Sequence, residues 1–208
     1  DRFYKNLIKK KKDPRIIKEY KKLLKYKKMI KFVYQNVPKG TGDAVLKTKR
    51  FITDKYFLML LPDDLIIKKN CSKSMINVHQ KYKSSVMASM QVNKSTVSRW
   101  GIYNLSKRLS KSDYLISDVV EKPSIKDAPS NKAVIGRYIL PKTIFKKLKN
   151  QNPGNGGEIH ITDAIQSLIK DNEKFIAHNF SGKYLDCGTM NGYINSGKKI
   201  SNLWNYAW

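Results

Sequence analysis

The chain has 208 residues and a mass of 24.1 kDa, which suffices for one substantial hydrophobic core. No apolar run approaches the length of a membrane span, and the first residues show no signal-peptide pattern. The formal net charge is +26, from 42 Lys and Arg against 16 Asp and Glu. Cys71 and Cys187 are too few and too far apart for a disulfide scaffold or a metal-ligand motif, and they predict a reducing cytoplasm.

The positive charge raises nucleic acid and anionic membrane surfaces as partners. Most of the basic residues are lysines, which make point-charge contacts, whereas arginine supplies the bidentate contacts that read bases. They are spread along the chain together with abundant Asn and Ile, and all three residue types have A/T-rich codons. Compositional drift is therefore favoured over a specific nucleic-acid or membrane partner, and a basic polyanion-binding protein is the alternative.

The first predicted elements lie in the lysine-rich N-terminal segment. The spacing of apolar residues predicts a helix over residues 13–28, with Asp13 as its N-cap and Pro14 in its first turn. Residues 30–34 (IKFVY) are predicted to form a strand.

A polar loop is predicted over residues 35–42, where Gly40 and Gly42 would let backbone N–H groups approach an anionic ligand. Such a loop is also typical of a simple turn. The later predicted elements are helices over 43–49, 72–82 (capped by Ser72), 158–170 (capped by Thr162 or Asp163) and 186–196, and strands over 85–92, 116–121, 133–140 and 174–180.

The stretch YFLMLLPDD, residues 56–64, is the centre of the functional prediction. Its five apolar residues, 57–61, are short for a helix and predict a strand that is buried on both faces, as parallel strands are. Pro62 ends the strand, and Asp63 and Asp64 follow. Ligands of open α/β sheets bind beyond the carboxyl ends of the strands, so an acidic pair here suits a divalent cation that also holds phosphates. An acidic surface turn is the other interpretation.

Further acidic residues follow other predicted strands: Glu121, which is next to Lys122, and Asp186. Carboxylates from different strands that share one Mg²⁺ would suit phosphoryl-type chemistry, with Lys122 on a substrate phosphate. A surface ion pair between Glu121 and Lys122 is the alternative. The three histidines share no spacing and indicate neither a Ser-His-Asp set nor a metal cluster.

Strands and helices alternate along the chain, which predicts a layered α/β sheet in a single domain over residues 1–208. Gly136 interrupts the strand over 133–140, and a glycine there often marks the close approach of a ligand or another backbone.

Seven blocks occur in one order from about residue 35 onward, and together they resemble the bacterial UTP–glucose-1-phosphate uridylyltransferases of the sugar-nucleotide pyrophosphorylase superfamily. The first thirty or so residues resemble that family's charged helix more loosely. The blocks are QNVPKGTGDAV (35–45), FLMLLPDDLI (57–66), WGI (100–102), VVEKP (119–123), APSNKAVIGRYIL (128–140), PGNGGEIHITDAI (153–165) and GKYLDCGTMNGYI (182–194).

The resemblance implies a Rossmann-like three-layer nucleotidyltransferase fold with a mixed central sheet. It implies the conversion of UTP and glucose 1-phosphate to UDP-glucose and pyrophosphate, with Mg²⁺ as cofactor, in a homo-oligomer. A related sugar-phosphate nucleotidyltransferase of other specificity is the close variant.

The resemblance also implies roles for nine residues, matched motif by motif. These are Gln35 and Gly40 at the uracil, Asp63 and Asp186 on Mg²⁺, Gly101 and Glu121 at the glucose, Lys122 on its phosphate, and Val134 and Gly136 along the sugar pocket.

Two family features are absent from this sequence: a glycine-rich opening loop followed by Thr-Arg, and a Lys-Glu-Met-Leu-Pro segment. In the family the loop surrounds the triphosphate, and the opening supplies the first strands of the sheet. The comparison with the family therefore implies an N-terminally truncated chain whose sheet lacks its first strands, which leaves a strand unpaired on one side. We expect the chain as written to have no measurable uridylyltransferase activity.

Overall fold

The computed structural model describes residues 2–11 and 14–204. The chain divides into two compact units, Asp1–Asn36 and Val37–Trp208. None of the described helices has the length and hydrophobicity to cross a bilayer. That residues 1–208 form a single domain stays a prediction.

The first unit contains two helices, α1 (Arg2–Lys11) and α2 (Pro14–Met29). The predicted helix over 13–28 is confirmed, whereas its proposed cap, Asp13, lies outside the described residues. The predicted strand over 30–34 is wrong, because this segment forms no β-ladder. Side chains of strand-forming type do not make a strand without a neighbour to accept the backbone hydrogen bonds, and Phe32 is 75% exposed.

The second unit is built on a mixed sheet of six strands in the order β1-β6-β3-β7-β5-β4. Only β3 and β7 pair in parallel, and the other neighbours are antiparallel. The mixed α/β sheet predicted from the sequence is therefore confirmed. The strands are β1 (Tyr56–Leu60), β3 (Ser85–Gln91), β4 (Gly101–Arg108), β5 (Asp113–Glu121), β6 (Lys132–Pro141) and β7 (Phe175–Asn179).

Strand β1 differs from its prediction. It pairs antiparallel with β6 alone and lies at one edge of the described sheet. Phe57 stacks on Phe145 with ring centroids 5.3 Å apart, whereas Leu60 on the other face is 49% exposed. An unbroken apolar run of five residues does not reveal which neighbours a strand has, and here Phe57 and Met59 pack on one face while Leu58 and Leu60 are exposed on the other.

A separate two-stranded ribbon pairs β2 (Asp64–Ile67) with β8 (Lys183–Asp186), and in its register Asp64 stands opposite Asp186. Neither strand is predicted from the sequence, because each is four residues long and begins or ends with a charged residue. This ribbon positions the candidate site.

Helices cover both faces of the six-stranded sheet, which gives three layers. Met87 packs in one buried cluster with residues of α5 and α6, whereas its neighbours Val86 and Ala88 pack with α4 on the other face. The helices of this unit are α3 (Thr41–Lys47), α4 (Cys71–Tyr82), α5 (Ile144–Asn150), α6 (Ile161–Lys170) and α7 (Met190–Trp204).

The helix starts differ from the predicted caps. Asn70, not Ser72, caps α4 by accepting a hydrogen bond from the Lys73 N–H at 2.9 Å. Helix α6 begins after His160, so Thr162 and Asp163 lie inside it. The last helix begins at Met190 instead of residue 186, because residues 183–186 form β8.

Candidate active site

Asp63 and Asp186 converge beside Gly188. A β-carbon on Gly188 would lie 3.0 Å from Asp63 Oδ2 and 3.4 Å from Asp186 Oδ1. The Cys187 N–H donates to the Asp63 carbonyl at 2.8 Å, and the Gly188 N–H donates to Asp186 Oδ1 at 2.9 Å. Two carboxylates far apart in sequence therefore share one side of a short loop, and Gly188 leaves the space between them free of a side chain.

Asp64 is bound differently, since both of its oxygens accept hydrogen bonds. The Gly136 N–H donates to Oδ2 at 2.6 Å, and the Tyr184 hydroxyl donates to Oδ1. The Leu61 N–H also donates to the Gly136 carbonyl at 2.8 Å. A β-carbon on Gly136 would lie 2.5 Å from Asp64 Oδ2 and from Leu61 Cβ. The glycine in β6 thus lets the protein's own 61–64 turn approach, one of the two outcomes expected from the sequence.

Three residues assigned to the sugar pocket lie together. Gly101 stands opposite Glu121 in the β4–β5 register, and a β-carbon on Gly101 would lie 3.1 Å from Glu121 Oε2 and 3.2 Å from Val134 Cγ2. Lys122 follows with a positive φ of 45°, and its N–H donates to the Trp100 carbonyl at 3.0 Å. Among the described residues Lys122 makes no ion pair with Glu121.

The two residues assigned to uracil lie in different units. Gln35 is partly exposed at the end of the first unit. Gly40, with φ +93°, precedes α3, and the Gly42 N–H donates to the Ile159 carbonyl at 2.7 Å. A β-carbon on Gly40 would lie 2.8 Å from that carbonyl oxygen. The glycines therefore allow loop 39–42 to pack closely against residues 158–159.

Tyr138 is buried in β6, two residues after Gly136. Burial raises the pKa of its hydroxyl, and the charges of Asp64, Glu121 and Asp63 raise it further, in that order. These causes all favour the neutral phenol over the phenolate.

Tyr184, in β8, is hydrogen-bonded to the acidic pair through Asp64. Burial raises its pKa, the hydrogen bond to Asp64 adds to this, and the carboxylates of Asp64, Asp186 and Asp63 contribute further. Its ring meets the edge of Trp100 with centroids 5.8 Å apart. Arg99 places a guanidinium nitrogen 3.8 Å from Asp186 Oδ2.

A sequence model of the family described as nucleotidyl transferase matches residues 4–202. The chain belongs to the nucleotidyl transferase family. The chain is 38% identical to a UTP–glucose-1-phosphate uridylyltransferase of Pseudomonas aeruginosa, over 79% of this chain and 60% of that protein. It is also 38% identical to UTP–glucose-1-phosphate uridylyltransferase 2 of Streptococcus pyogenes, over 79% of this chain and 56% of that protein.

Among solved structures, the chain is similar to a UDP-glucose pyrophosphorylase complexed with UDP-glucose. The TM-score is 0.78 and the identity 39%, over 83% of this chain and 66% of that one. The family resemblance and the nucleotidyltransferase fold expected from the sequence are thus confirmed. The chain nevertheless spans less than two thirds of each of these relatives.

Nucleotidyl transferases of this family generally use a divalent metal. No group of three or more His, Cys, Asp or Glu side chains within the described part of the chain is arranged to hold a metal alone. Asp63 and Asp186 fit a cation that completes its shell with water and phosphate oxygens, as Mg²⁺ does with one or two carboxylates. The Asp64 carboxylate is placed differently, because its oxygens accept hydrogen bonds from the Gly136 N–H and the Tyr184 hydroxyl, whereas Asp63 Oδ2 and Asp186 Oδ1 lie beside Gly188.

Sequence reasoning misses Arg99, Trp100 and Tyr184 in this site. Trp100 begins the family block WGI, and Tyr184 lies in the block GKYLDCGTMNGYI, but the resemblance implies no role for either residue. The contact of Tyr184 with Asp64 depends on the unpredicted pairing of β2 with β8.

A second polar network lies away from this site. Ser74 Oγ is 2.6 Å from Nε2 of His178, and Nδ1 of His178 is 2.7 Å from Asp113 Oδ1. The structure thus forms a Ser-His-Asp set that the sequence analysis did not find. The Ser74 N–H bonds to the Asn70 carbonyl within α4, so the backbone at this serine offers no free donor for an oxyanion. The network instead joins α4 to β7 and β5.

Proposed function

We propose that the chain carries the nucleotidyl-transfer site of an enzyme that forms UDP-glucose and pyrophosphate from UTP and glucose 1-phosphate. The observation that supports this most directly is the convergence of Asp63 and Asp186 beside Gly188. The relatives from Pseudomonas aeruginosa and Streptococcus pyogenes are UTP–glucose-1-phosphate uridylyltransferases, which supports the choice of UTP and glucose 1-phosphate over other substrate pairs.

In the proposed reaction, a phosphate oxygen of glucose 1-phosphate attacks the α-phosphorus of UTP, and pyrophosphate leaves. This chemistry depends on positioning and charge stabilisation and requires no nucleophilic side chain. Mg²⁺ held by Asp63 and Asp186 would supply charge neutralisation on the phosphate oxygens. The Lys122 ammonium group would hold the sugar phosphate, and the Glu121 carboxylate would accept hydrogen bonds from glucose hydroxyls.

The remaining assignments complete the proposed site. Gly101, Val134 and Gly136 would shape the sugar side and Gly40 the uracil side, whereas the role of Gln35, in the first unit, stays a prediction from the family resemblance. Assembly as a homo-oligomer and a place in cytoplasmic carbohydrate metabolism belong to the same proposal, on the strength of the family.

The test measures the binding of UDP-glucose by calorimetry, with Mg²⁺ or with EDTA, so that it does not depend on turnover. We expect Mg²⁺ to tighten binding in the wild-type chain, and Asp63→Ala and Asp186→Asn to remove that gain, about tenfold or more in Kd (about 1.4 kcal/mol). Lys122→Ala weakens binding with and without metal, since its charge acts on a phosphate directly.

Asp54→Ala is the matched control, because this exposed carboxylate lies just before β1 at the opposite end of the strand from Asp63. Its binding should equal that of the wild type. The proposal would be contradicted if the wild-type Kd for UDP-glucose were the same with Mg²⁺ and with EDTA. Equal losses of affinity in Asp54→Ala and Asp63→Ala would also contradict it.

A further inference from the structure

We propose that Asp64 and Tyr184 form a positioning pair, which holds no metal itself and fixes the separation of the two carboxylates that do. The inference rests on the proposed function, because it concerns the metal site assigned there. It divides the acidic pair at 63–64 into one residue that faces the cation and one that faces the protein.

Two hydrogen bonds hold the Asp64 carboxylate in place. Oδ2 accepts from the Gly136 N–H at 2.6 Å, and Oδ1 accepts from the Tyr184 hydroxyl. The two donors belong to different sheets, since Gly136 lies in β6 of the six-stranded sheet and Tyr184 in β8 of the ribbon. Asp64 therefore ties the ribbon to the sheet, and both of its oxygens are directed at these two donors.

The register of the ribbon places the pair next to the two proposed metal ligands. Asp64 stands opposite Asp186, and Ile66 stands opposite Tyr184. Alternate residues of a strand share a face, so these four side chains lie on the same face of the ribbon, and the Tyr184 hydroxyl reaches Asp64 diagonally. Tyr184 is two residues from Asp186 on one strand, and Asp64 is adjacent to Asp63 at the start of the other.

The donor that Tyr184 offers to Asp64 is an uncharged hydroxyl. A lysine or arginine in place of Tyr184 would satisfy Asp64 equally well, but it would add a positive charge beside Asp63 and Asp186. A phenol donates a hydrogen bond without adding a second positive charge to that of Arg99, which already lies 3.8 Å from Asp186 Oδ2.

Tyr184 also links the metal side to the sugar side. Its ring meets Trp100 at 5.8 Å, and the Trp100 carbonyl accepts from the Lys122 N–H at 3.0 Å. The substitution Tyr184→Phe keeps this ring contact and removes only the hydroxyl, so it separates the hydrogen bond to Asp64 from the packing.

The experiment titrates Mn²⁺ into the full chain and follows free Mn²⁺ by electron paramagnetic resonance. Residues that support metal ligands are typically worth about 10- to 100-fold in metal affinity, so we expect Tyr184→Phe to weaken Mn²⁺ binding by about tenfold or more. Asp63→Ala should abolish binding. Tyr26→Phe is the matched control, because this tyrosine is 50% exposed in α2 and no site role is assigned to it, and it should bind Mn²⁺ as the wild type does.

Two further measurements separate positioning from general damage. The affinity for UDP-glucose in EDTA should be unchanged in Tyr184→Phe, since the sugar and uracil contacts remain. Asp64→Asn keeps the shape of the side chain but removes a charge as well as an acceptor, so it should weaken Mn²⁺ binding at least as much as Tyr184→Phe and serves as the second variant should Tyr184→Phe fail to fold. The double variant should bind Mn²⁺ no more weakly than the single variant with the larger loss, as expected for two residues of one contact.

Wild-type Mn²⁺ affinity in Tyr184→Phe and Asp64→Asn, with binding lost in Asp63→Ala, would overturn the positioning pair and leave the proposed function standing. Unchanged affinity in Asp63→Ala would remove the metal site, and the proposed function with it.

Discussion

At the scale of single residues, the two cysteines differ in burial, and this difference predicts different reactivities for their thiols. Cys71 is buried, and this burial raises the pKa of its thiol to about 11, with the nearby Arg137 charge acting in the opposite direction. Cys187 is partly exposed beside Asp186. The thiolate is the reactive species, so Cys71 stays in its unreactive thiol form at pH 8.

We therefore predict that iodoacetamide at pH 8 alkylates Cys187 and leaves Cys71 unmodified until the chain is denatured. Peptide mass spectrometry after timed quenching measures both sites in one sample. Cys187→Ser is the control that removes the fast site. Equal labelling of both cysteines in the folded chain would show that Cys71 is more accessible than the structure indicates.

The site residues could be predicted to different depths from the sequence. The position after a predicted strand marks Asp63, Asp64, Glu121 and Asp186 as candidates, and the family resemblance assigns the metal to Asp63 and Asp186 among them. The separate task of Asp64 could not be predicted, because it depends on a glycine N–H 72 residues away and a tyrosine 120 residues away. Residue type suggests chemistry, whereas the orientation of each carboxylate depends on tertiary contacts.

At the scale of elements, Gly136 decides how the turn after β1 meets β6. We predict that Gly136→Ala lowers the free energy of unfolding by about 1–3 kcal/mol, as overpacking does, because its β-carbon would lie 2.5 Å from Leu61 Cβ. Urea denaturation measures this. Gly197→Ala is the matched control: Gly197 lies in α7 with no atom near its β-carbon position, so alanine there should stabilise the helix by up to about 1 kcal/mol. Similar effects at both glycines would contradict this account of Gly136.

Elements with a long, regular apolar pattern were predicted close to their observed bounds. Strands β3 and β6 are examples. The short ribbon strands β2 and β8 were not, since four residues carry too little periodicity. β4 was missed because half of it is exposed and polar, and its pairing with β5 contains register shifts. The error at 30–34 has the opposite origin, since local propensity there has no partner strand to act on.

At the scale of the whole molecule, charge and burial act in opposite directions as the pH rises. The +26 charge destabilises the compact state through self-repulsion, and this repulsion weakens as lysines lose protons near pH 10.4. Buried tyrosines act against this gain. Tyr103 is fully buried and donates to the Ala88 carbonyl at 2.8 Å, and burial raises the pKa of its hydroxyl well above 10.0.

The sign of the tyrosine contribution follows from proton binding. Above pH 10 the unfolded chain releases the Tyr103 proton while the folded chain keeps it, so stability falls as the pH rises, by up to about 1.4 kcal/mol per pH unit for one group.

We predict that Tyr103→Phe is less stable than the wild type at pH 8, by about 1 kcal/mol for the lost hydrogen bond, and that this difference shrinks above pH 10. Because both proteins carry the same lysines, the change in self-repulsion cancels in the comparison. Urea denaturation at pH 8, 10 and 11 measures the difference. A Tyr103→Phe difference that stays constant with pH would mean that Tyr103 releases its proton as readily in the folded chain as in the unfolded one.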